Sequence, residues 1–494
     1  MFSRFLNGNP SMGGSVFTEK QLLYVVGFLG ALTCSVSILT ESLFGILIPI
    51  VAALLVVSLY RMDLMFFFCA LITPLSINLQ KTPIGIGVSL PSEPLMFGLM
   101  LIFLATCLYH NKLGKEIIRH PVTIFILIHL AWMYFTSFTS TMPVVSLKAT
   151  LARTCYVVVF FLLAILIFKN KEKIGTFIWC YLIPLIVAIA YTTIQHAMAG
   201  FTEKAAHSAM TPLYNDHTAY AAVIAMFIPM MFAFLDDHKK SFLFRSSCGA
   251  VLCILIGAVV LSYTRAAWVS LVAALLCYLV ILMRVKTSLV IMAAISTVLI
   301  ILFNWTDIKM ELERTDEQSS TDYASHVQSV SNITTDASNV ERINRWACAL
   351  RMFTEKPILG WGPGTYVFQY APFQKFSERT IISTNFGEGG NAHSEYIGAM
   401  AEQGVMGALF FILILIATVY RASRIIIHSK DRQIRLLAKG LLLGLVTYWV
   451  HATLNNFLDT EKASVPYWGF IAAIVALDLY HSKSEKEKSR ASIS

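Results

Sequence analysis

Charge is scarce in this chain. Only 14% of its 494 residues are Asp, Glu, Lys or Arg, against 56% apolar ones, too few to cover a soluble protein of this size. Cysteine is thinly spread as well: nine residues, mostly inside apolar runs, with no CxxC pair and no Cys/His cluster at metal-ligand spacing. That argues against a disulfide framework or a structural zinc site. No apolar core precedes Lys20, so no cleavable signal peptide is expected. No internal repeat is visible either.

Apolar sequence fills most of the chain, in runs of about 17–22 residues, the length that crosses a ~30 Å hydrocarbon core. About fourteen spans are predicted: 21–39, 43–60, 62–79, 93–109, 121–138, 149–168, 175–195, 217–235, 246–263, 267–283, 287–304, 396–419, 440–455 and 464–480. Lipid requires backbone polar groups to be satisfied within each segment, so the spans read as helices of an all-α polytopic membrane protein. The organisation expected is a transmembrane bundle over 1–304, a large loop over 305–392, and further transmembrane helices with a tail over 393–494. With the N-terminus inside, 24 of the 38 basic residues fall on inner connections, including Lys169, Lys171 and Lys173 and the six between Arg421 and Lys439. This matches the positive-inside rule. The net charge of +9 is thus a topology signal and lends no support to nucleic-acid binding. Both termini are expected in the cytoplasm and the long loop outside.

The loop changes character along its length. From 307 to 341 it holds eight acidic and two basic residues; from 342 to 391 it holds six basic and three acidic. The Ser/Thr-rich run 319–339 predicts a mobile stretch. Residues 340–355 follow helical spacing, with Val340, Ile343, Ala347, Leu350 and Met352/Phe353 on one apolar face and Asp336 or Ser338 as the cap. The helix is expected to stop at Lys356-Pro357, before the turn-rich Gly360-Trp361-Gly362-Pro363-Gly364.

Several residues there can carry chemistry. His393, in Asn391-Ala392-His393-Ser394-Glu395-Tyr396, sits where the loop re-enters apolar sequence. An imidazole there can take a proton from a hydroxyl nucleophile near neutral pH, or merely cap a helix. Glu395 is two residues on, a spacing that does not face its neighbour on a helix. Arg265, between two apolar runs on the outer side, suits bidentate contact with a diphosphate, or snorkels to the interface. Arg342 and Trp346 are four apart and share a face, offering a cation and an aromatic platform to phosphate and sugar; Arg345 lies beside them. Arg153, near the outer end of 149–168, adds positive potential or snorkels. Asp216, before His217, reads first as a helix cap, with sugar binding or proton relay as the alternative. Glu402 is expected to pair with another helix. Asn455, Asn456, Asp459 and Lys462 form a polar outer patch with no evident task.

Ala392-His393-Ser394-Glu395-Tyr396-Ile397, followed by Glu402-Gln403-Gly404 and Gly407, resembles the fingerprint of the O-antigen ligases and O-antigen/exopolysaccharide polymerases. Arg342…Trp346…Ala349…Met352-Phe353…Lys356-Pro357-Ile358-Leu359-Gly360-Trp361-Gly362 is similar to that family's loop helix and its Pro/Gly exit, and Ser262-Tyr263-Thr264-Arg265-Ala266 to the element before the loop. The resemblance covers roughly 215–410 and implies a GT-C-like architecture of 12–14 helices with short helices in a large periplasmic loop. It also implies an inverting glycosyltransferase of the bacterial inner membrane that needs neither metal nor cofactor. The donor would be an undecaprenyl-diphosphate-linked glycan, and the acceptor another glycan or lipid A core. Membrane lipid and a chain-length regulator would be the other partners. Arg265 would bind the diphosphate with help from Arg342, and His393 would orient or deprotonate the acceptor hydroxyl. Polymerase and ligase share donor and site, with a slight lean to polymerase. A lipid-linked oligosaccharide flippase is the rival from another class, and would predict an internal repeat. A peptidoglycan polymerase of the shape–elongation–division–sporulation class would lean instead on Glu341 or Glu388.

Overall fold

The computed structural model describes residues 57–79, 87–110, 113–283, 326–379 and 390–481, with isolated positions 53, 54, 296, 304 and 383; over 326–339 it describes backbone alone. The predicted spans 21–39, 43–60 and 287–304 fall outside these residues, apart from scattered positions. Among the described residues, ten helices are long and apolar enough to cross a membrane, alongside a shorter apolar stretch, Met62–Leu75. The chain is an all-α, multi-pass membrane protein.

The helices are α1 (Met62–Ile72), α2 (Ser92–His110), α3 (Pro121–Phe138), α4 (Pro143–Ile167), α5 (Glu172–Met198), α6 (His217–Leu235), α7 (Phe242–Leu261) and α8 (Arg265–Leu282). They continue with the loop helix α9 (His326–Glu355), then α10 (Glu395–His428), α11 (Arg432–His451) and α12 (Glu461–His481). Pro121 and Pro143 open α3 and α4 at the position where a missing N–H costs nothing. Asp216, Ser241, Ser394 and Asp431 accept from the first-turn amides of α6, α7, α10 and α11.

Among the boundaries that depart from expectation, three bear on the loop face. The span 62–79 stops short: Thr73-Pro74 turns the chain into an antiparallel hairpin that pairs Ile77–Leu79 with Val88–Leu90. The turn is fixed from α12, where buried Lys462 donates to the carbonyls of Thr73, Pro74 and Ser76 at 3.3, 3.1 and 2.8 Å. Lys462 is therefore a strut and no part of an outer polar patch. The span 440–455 instead covers Arg432–His451, which moves Asn455 into the following turn. The loop helix begins at His326, so Asp336 and Ser338 lie inside it rather than capping it, and the run expected to be mobile is helical from there on.

The core centres on α4, α6, α11 and α12, whose side chains are mostly buried, whereas α7 and α8 expose much of theirs. α6 and α11 run antiparallel and approach closely because Gly440 and Gly444 present no side chain to α6. A Cβ at Gly444 would lie 2.5 Å from the Met226 carbonyl oxygen, and one at Gly440 would lie 2.7 Å from Met230 Sδ. This is the small-xxx-small device of membrane helix pairs. On the face opposite the loop, ion pairs join helix ends: Lys173 with Asp63 at 3.0 Å, Lys171 with Asp431 at 3.2 Å and Arg421 with Asp478 at 3.2 Å.

α10 is broken at Gly404, which has φ +68° and ψ −170°. The break divides the helix at this point, and 395–403 touches both the small core of the loop and the bundle, where Gln403 bonds His129 and Trp132 of α3. The break lets Val405 N–H reach the Pro357 carbonyl at 2.9 Å and brings the Ile358 carbonyl oxygen within 2.0 Å of where a Cβ on Gly404 would stand. A side chain there meets both a positive φ and fixed backbone. Gly404→Ala is therefore expected to cost about 1–3 kcal/mol. Gly98→Ala in α2, where the added methyl meets nothing within 4 Å, is expected to be neutral or to stabilise by up to ~1 kcal/mol. Unfolding midpoints of the purified proteins in detergent compare the two.

Candidate active site

His393 lies at the junction of loop and bundle, one residue before the Ser394 cap of α10. Its backbone is in the left-handed region at φ +48°, which costs a non-glycine residue roughly 1–2 kcal/mol. Two hydrogen bonds hold it there. His393 N–H donates to Asn391 Oδ1 at 3.1 Å, and the Trp346 indole N–H donates to the His393 carbonyl at 3.2 Å. Strain maintained by surrounding contacts points to function. The half-buried ring keeps Nδ1 buried and unbonded among the described residues. Burial first, then the positive charges of Arg342 and Arg345, push the imidazole down to about 4, against the opposing effects of a hydrogen bond with Asn455 and the charge of Asp216. At neutral pH the ring is uncharged and able to accept a proton.

The cations divide. Arg342 is half-buried on α9, and its charge acts on His393 and His451 while Asp216 acts on it in turn. Arg345 was expected beside it as a substrate contact, but is buried: Nε donates to Glu341 Oε1 at 2.8 Å, Nη1 to the Asn391 carbonyl at 3.4 Å, and the guanidinium lies 4.8 Å from the Tyr370 ring centroid. Its carbonyl accepts from the Tyr366 hydroxyl at 2.8 Å. The inward face of α9 is thus Glu341, Asn344, Arg345, Cys348, Ala349 and Met352, with Leu350 exposed, which corrects the predicted apolar face. Glu341 is Arg345's partner, and Glu388 falls outside the described residues. Trp346, expected as a sugar platform, uses its indole nitrogen to fix the His393 backbone.

Asp216 is the expected cap, bonded to Thr218 N–H at 2.9 Å and to His217 Nδ1 at 3.1 Å. Burial works to raise its carboxyl, but the bonds from His217 and Thr218 outweigh that and hold it well below the usual range. Arg265 is the exposed first residue of α8; Thr264 before it donates to the His217 carbonyl at 3.4 Å, which sets the start of α8 beside the start of α6. Arg153 belongs to a neighbouring group: its charge acts on Asp459 and His129, and the structure does not bring it to His393.

At this end His451 escaped the sequence reading, and Asn455 appeared there only in a polar outer patch without a task. His451 closes α11, and buried Asn455 follows it, its Nδ2 3.2 Å from His451 Nε2. Polar residues after the last turn of a span give no signal of which neighbours they will meet. Glu395 proves to face away from His393: one carboxylate oxygen accepts from the Tyr448 hydroxyl at 2.9 Å and from the N–H groups of Phe457 and Leu458 at 2.9 and 2.8 Å. Glu402 likewise serves structure, accepting from Tyr366 N–H at 3.0 Å while its carbonyl takes Gly362 N–H at 2.7 Å. Gln403 beside it bonds His129 and Trp132 of α3. The Glu402-Gln403-Gly404 element latches the glycine-rich loop to the bundle.

The ends of α6, α8, α10 and α11 and the side of α9 therefore converge on one polar site at the loop face. No curated protein matches the chain. Residues 249–412 match the family model described as O-Antigen ligase, a stretch that includes Arg265, Arg342 and His393 and ends before His451 and Asn455. Over this segment, about a third of its length, the chain is similar to the O-antigen ligase family.

Proposed function

We propose that the protein is a membrane glycosyltransferase of GT-C-like architecture. It would transfer or polymerise glycan from an undecaprenyl-diphosphate-linked donor on the periplasmic face of the bacterial inner membrane. The observation that carries this reading is the meeting of a neutral, strained His393 with Arg342 and Asp216 at the end of the bundle where α8 starts with Arg265. His393 takes the proton of the acceptor hydroxyl. The acceptor oxygen bonds to the anomeric carbon from the face opposite the leaving group, inverting it. The bond from that carbon to the donor phosphate oxygen breaks, and its electron pair leaves on undecaprenyl diphosphate. Arg265 and Arg342 meet the charge on the diphosphate, a role that fixed cations fill without reorganisation. Arg345 and Trp346 act one step back, holding Asn391 and the His393 backbone in place. Arg153 adds positive potential at the same face. The acceptor is another lipid-linked glycan or lipid A core.

Purified protein with lipid-diphosphate glycan, scored for transfer and product length, tests this. His393→Ala is expected to lower kcat about 10²–10⁴-fold with little change in donor KM. Arg265→Ala is expected to weaken donor use by roughly 10–100-fold, the value of one or two charge-assisted hydrogen bonds. Full activity in His393→Ala would refute the assignment, and lipid transport without transfer would favour a flippase.

The pH profile gives a second check. With its imidazole held at about 4, free-protein His393 stays deprotonated above that value. kcat/KM should therefore remain flat on acidification until near pH 4–5 and then fall. A bound diphosphate offsets the charge of Arg342 and raises the imidazole, so the acid limb of kcat should lie at higher pH than that of kcat/KM.

A further inference from the structure

We propose that Tyr263 is a positioning residue for Arg265: its side chain ties the α7–α8 turn to the end of α5 and so fixes where the guanidinium starts. The inference rests on the reading of Arg265 as the contact for the donor diphosphate. Arg265 is exposed and makes no side-chain hydrogen bond or ion pair among the described residues. No neighbouring side chain steers it there, so its reach is set by the backbone that carries it.

That backbone is held in an unfavoured conformation. Tyr263 ends α7 at φ +51°, the left-handed position where a helix ordinarily takes glycine. Its N–H bonds the Val260 carbonyl at 3.3 Å, and its hydroxyl donates to the Phe201 carbonyl at 3.3 Å. Phe201, just past α5, is itself left-handed at φ +54°, with its N–H on the His196 carbonyl at 3.0 Å. Buried His196 donates from Nε2 to the Thr202 carbonyl at 2.9 Å. Its ring makes T-shaped contacts with Phe201 and Tyr263, at centroid distances of 5.2 and 6.1 Å. Two strained residues on separate segments thus support one another, and strain kept in this way points to function. Buried Thr264 adds a second anchor, its hydroxyl 3.2 Å from the Ser262 carbonyl and 3.4 Å from that of His217. Arg265 follows directly, so the cation projects from a backbone tied to the end of α5 and to the start of α6. An aromatic residue serving only as an interfacial anchor would need neither the left-handed backbone nor the bond to Phe201.

The experiment measures binding of undecaprenyl diphosphate to the full-length protein in detergent, and transfer from lipid-diphosphate glycan. It compares wild type, Tyr263→Phe, Tyr263→Gly, Arg265→Ala and the double variant Tyr263→Phe/Arg265→Ala. Tyr263→Phe keeps the ring and loses the hydroxyl. It should raise the diphosphate Kd and the donor KM about 3–10-fold, the worth of one hydrogen bond, with kcat within about twofold. In the Arg265→Ala background the same change should add less than about twofold, because the cation it places is gone. Tyr263→Gly should raise Kd about 10-fold while its unfolding midpoint stays at or above that of Tyr263→Phe, since glycine accepts the left-handed backbone. A merely structural tyrosine would lower the midpoint in step with activity and leave the Kd of the folded protein unchanged. The proposal is overturned if both Tyr263 variants bind as wild type while Arg265→Ala binds weakly, or if Tyr263→Phe weakens binding equally in both backgrounds; the donor role of Arg265 then stands. If Arg265→Ala itself binds and transfers as wild type, Arg265 holds no diphosphate and the proposal falls with that role. If the coupling appears but wild type transfers no glycan, the positioning stands and the transferase reading falls.

Discussion

One carboxylate oxygen holds the candidate site together. Glu395 opens α10, yet its partners are the Tyr448 hydroxyl of α11 and two backbone amides of the turn between α11 and α12. Its own N–H closes the circuit on the Ala452 carbonyl at 2.9 Å. A hydrogen bond contributes about 0.5–1.5 kcal/mol net, and three converge on this one oxygen. They also fix where the chain must pass before and after: His393 lies two residues ahead of Glu395, and Asn455 two residues ahead of Phe457. Without this junction the two would sit on independent loop ends.

A second constraint lies deeper, in the close approach of α6 and α11 at Gly440 and Gly444. Because the helices are antiparallel, what they carry at their loop-face ends is brought together: Asp216 and His217 on one, His451 on the other. Within the apolar bundle backbone groups bond mainly along their own helices, so polar side chains concentrate where the helices end. The site is assembled from such ends, with α9 laid across them to supply Arg342 and to lock His393 through Trp346.

The loop layer shows why burial and charge can coexist there. The Arg345–Glu341 pair is buried, and breaking it by removing one partner would leave an uncompensated charge. The pair is sheltered by Tyr366 and Tyr370, which stack with ring centroids 5.2 Å apart, and by Gly390, whose missing side chain makes room for the guanidinium. A loop rich in charge thus acquires a small core of its own, with Cys348, Ala349, Met352, Tyr366 and Ala392 at its centre.

Hydropathy and length were enough to determine the membrane class and most of the spans, because crossing a bilayer imposes a length and a composition that any one segment must meet alone. The same local logic marked Asp216 as a cap and His393 as a residue at a boundary. Partnership was decided elsewhere. Which arginine would be buried and which exposed, the use of Glu395 and Glu402 as latches, the break at Gly404, and the arrival of His451 and Asn455 beside His393 all depend on contacts between segments tens to hundreds of residues apart. A polar residue beyond a helix end obeys no periodicity that names its partner. Only the packing of α6, α9, α10 and α11 selects it.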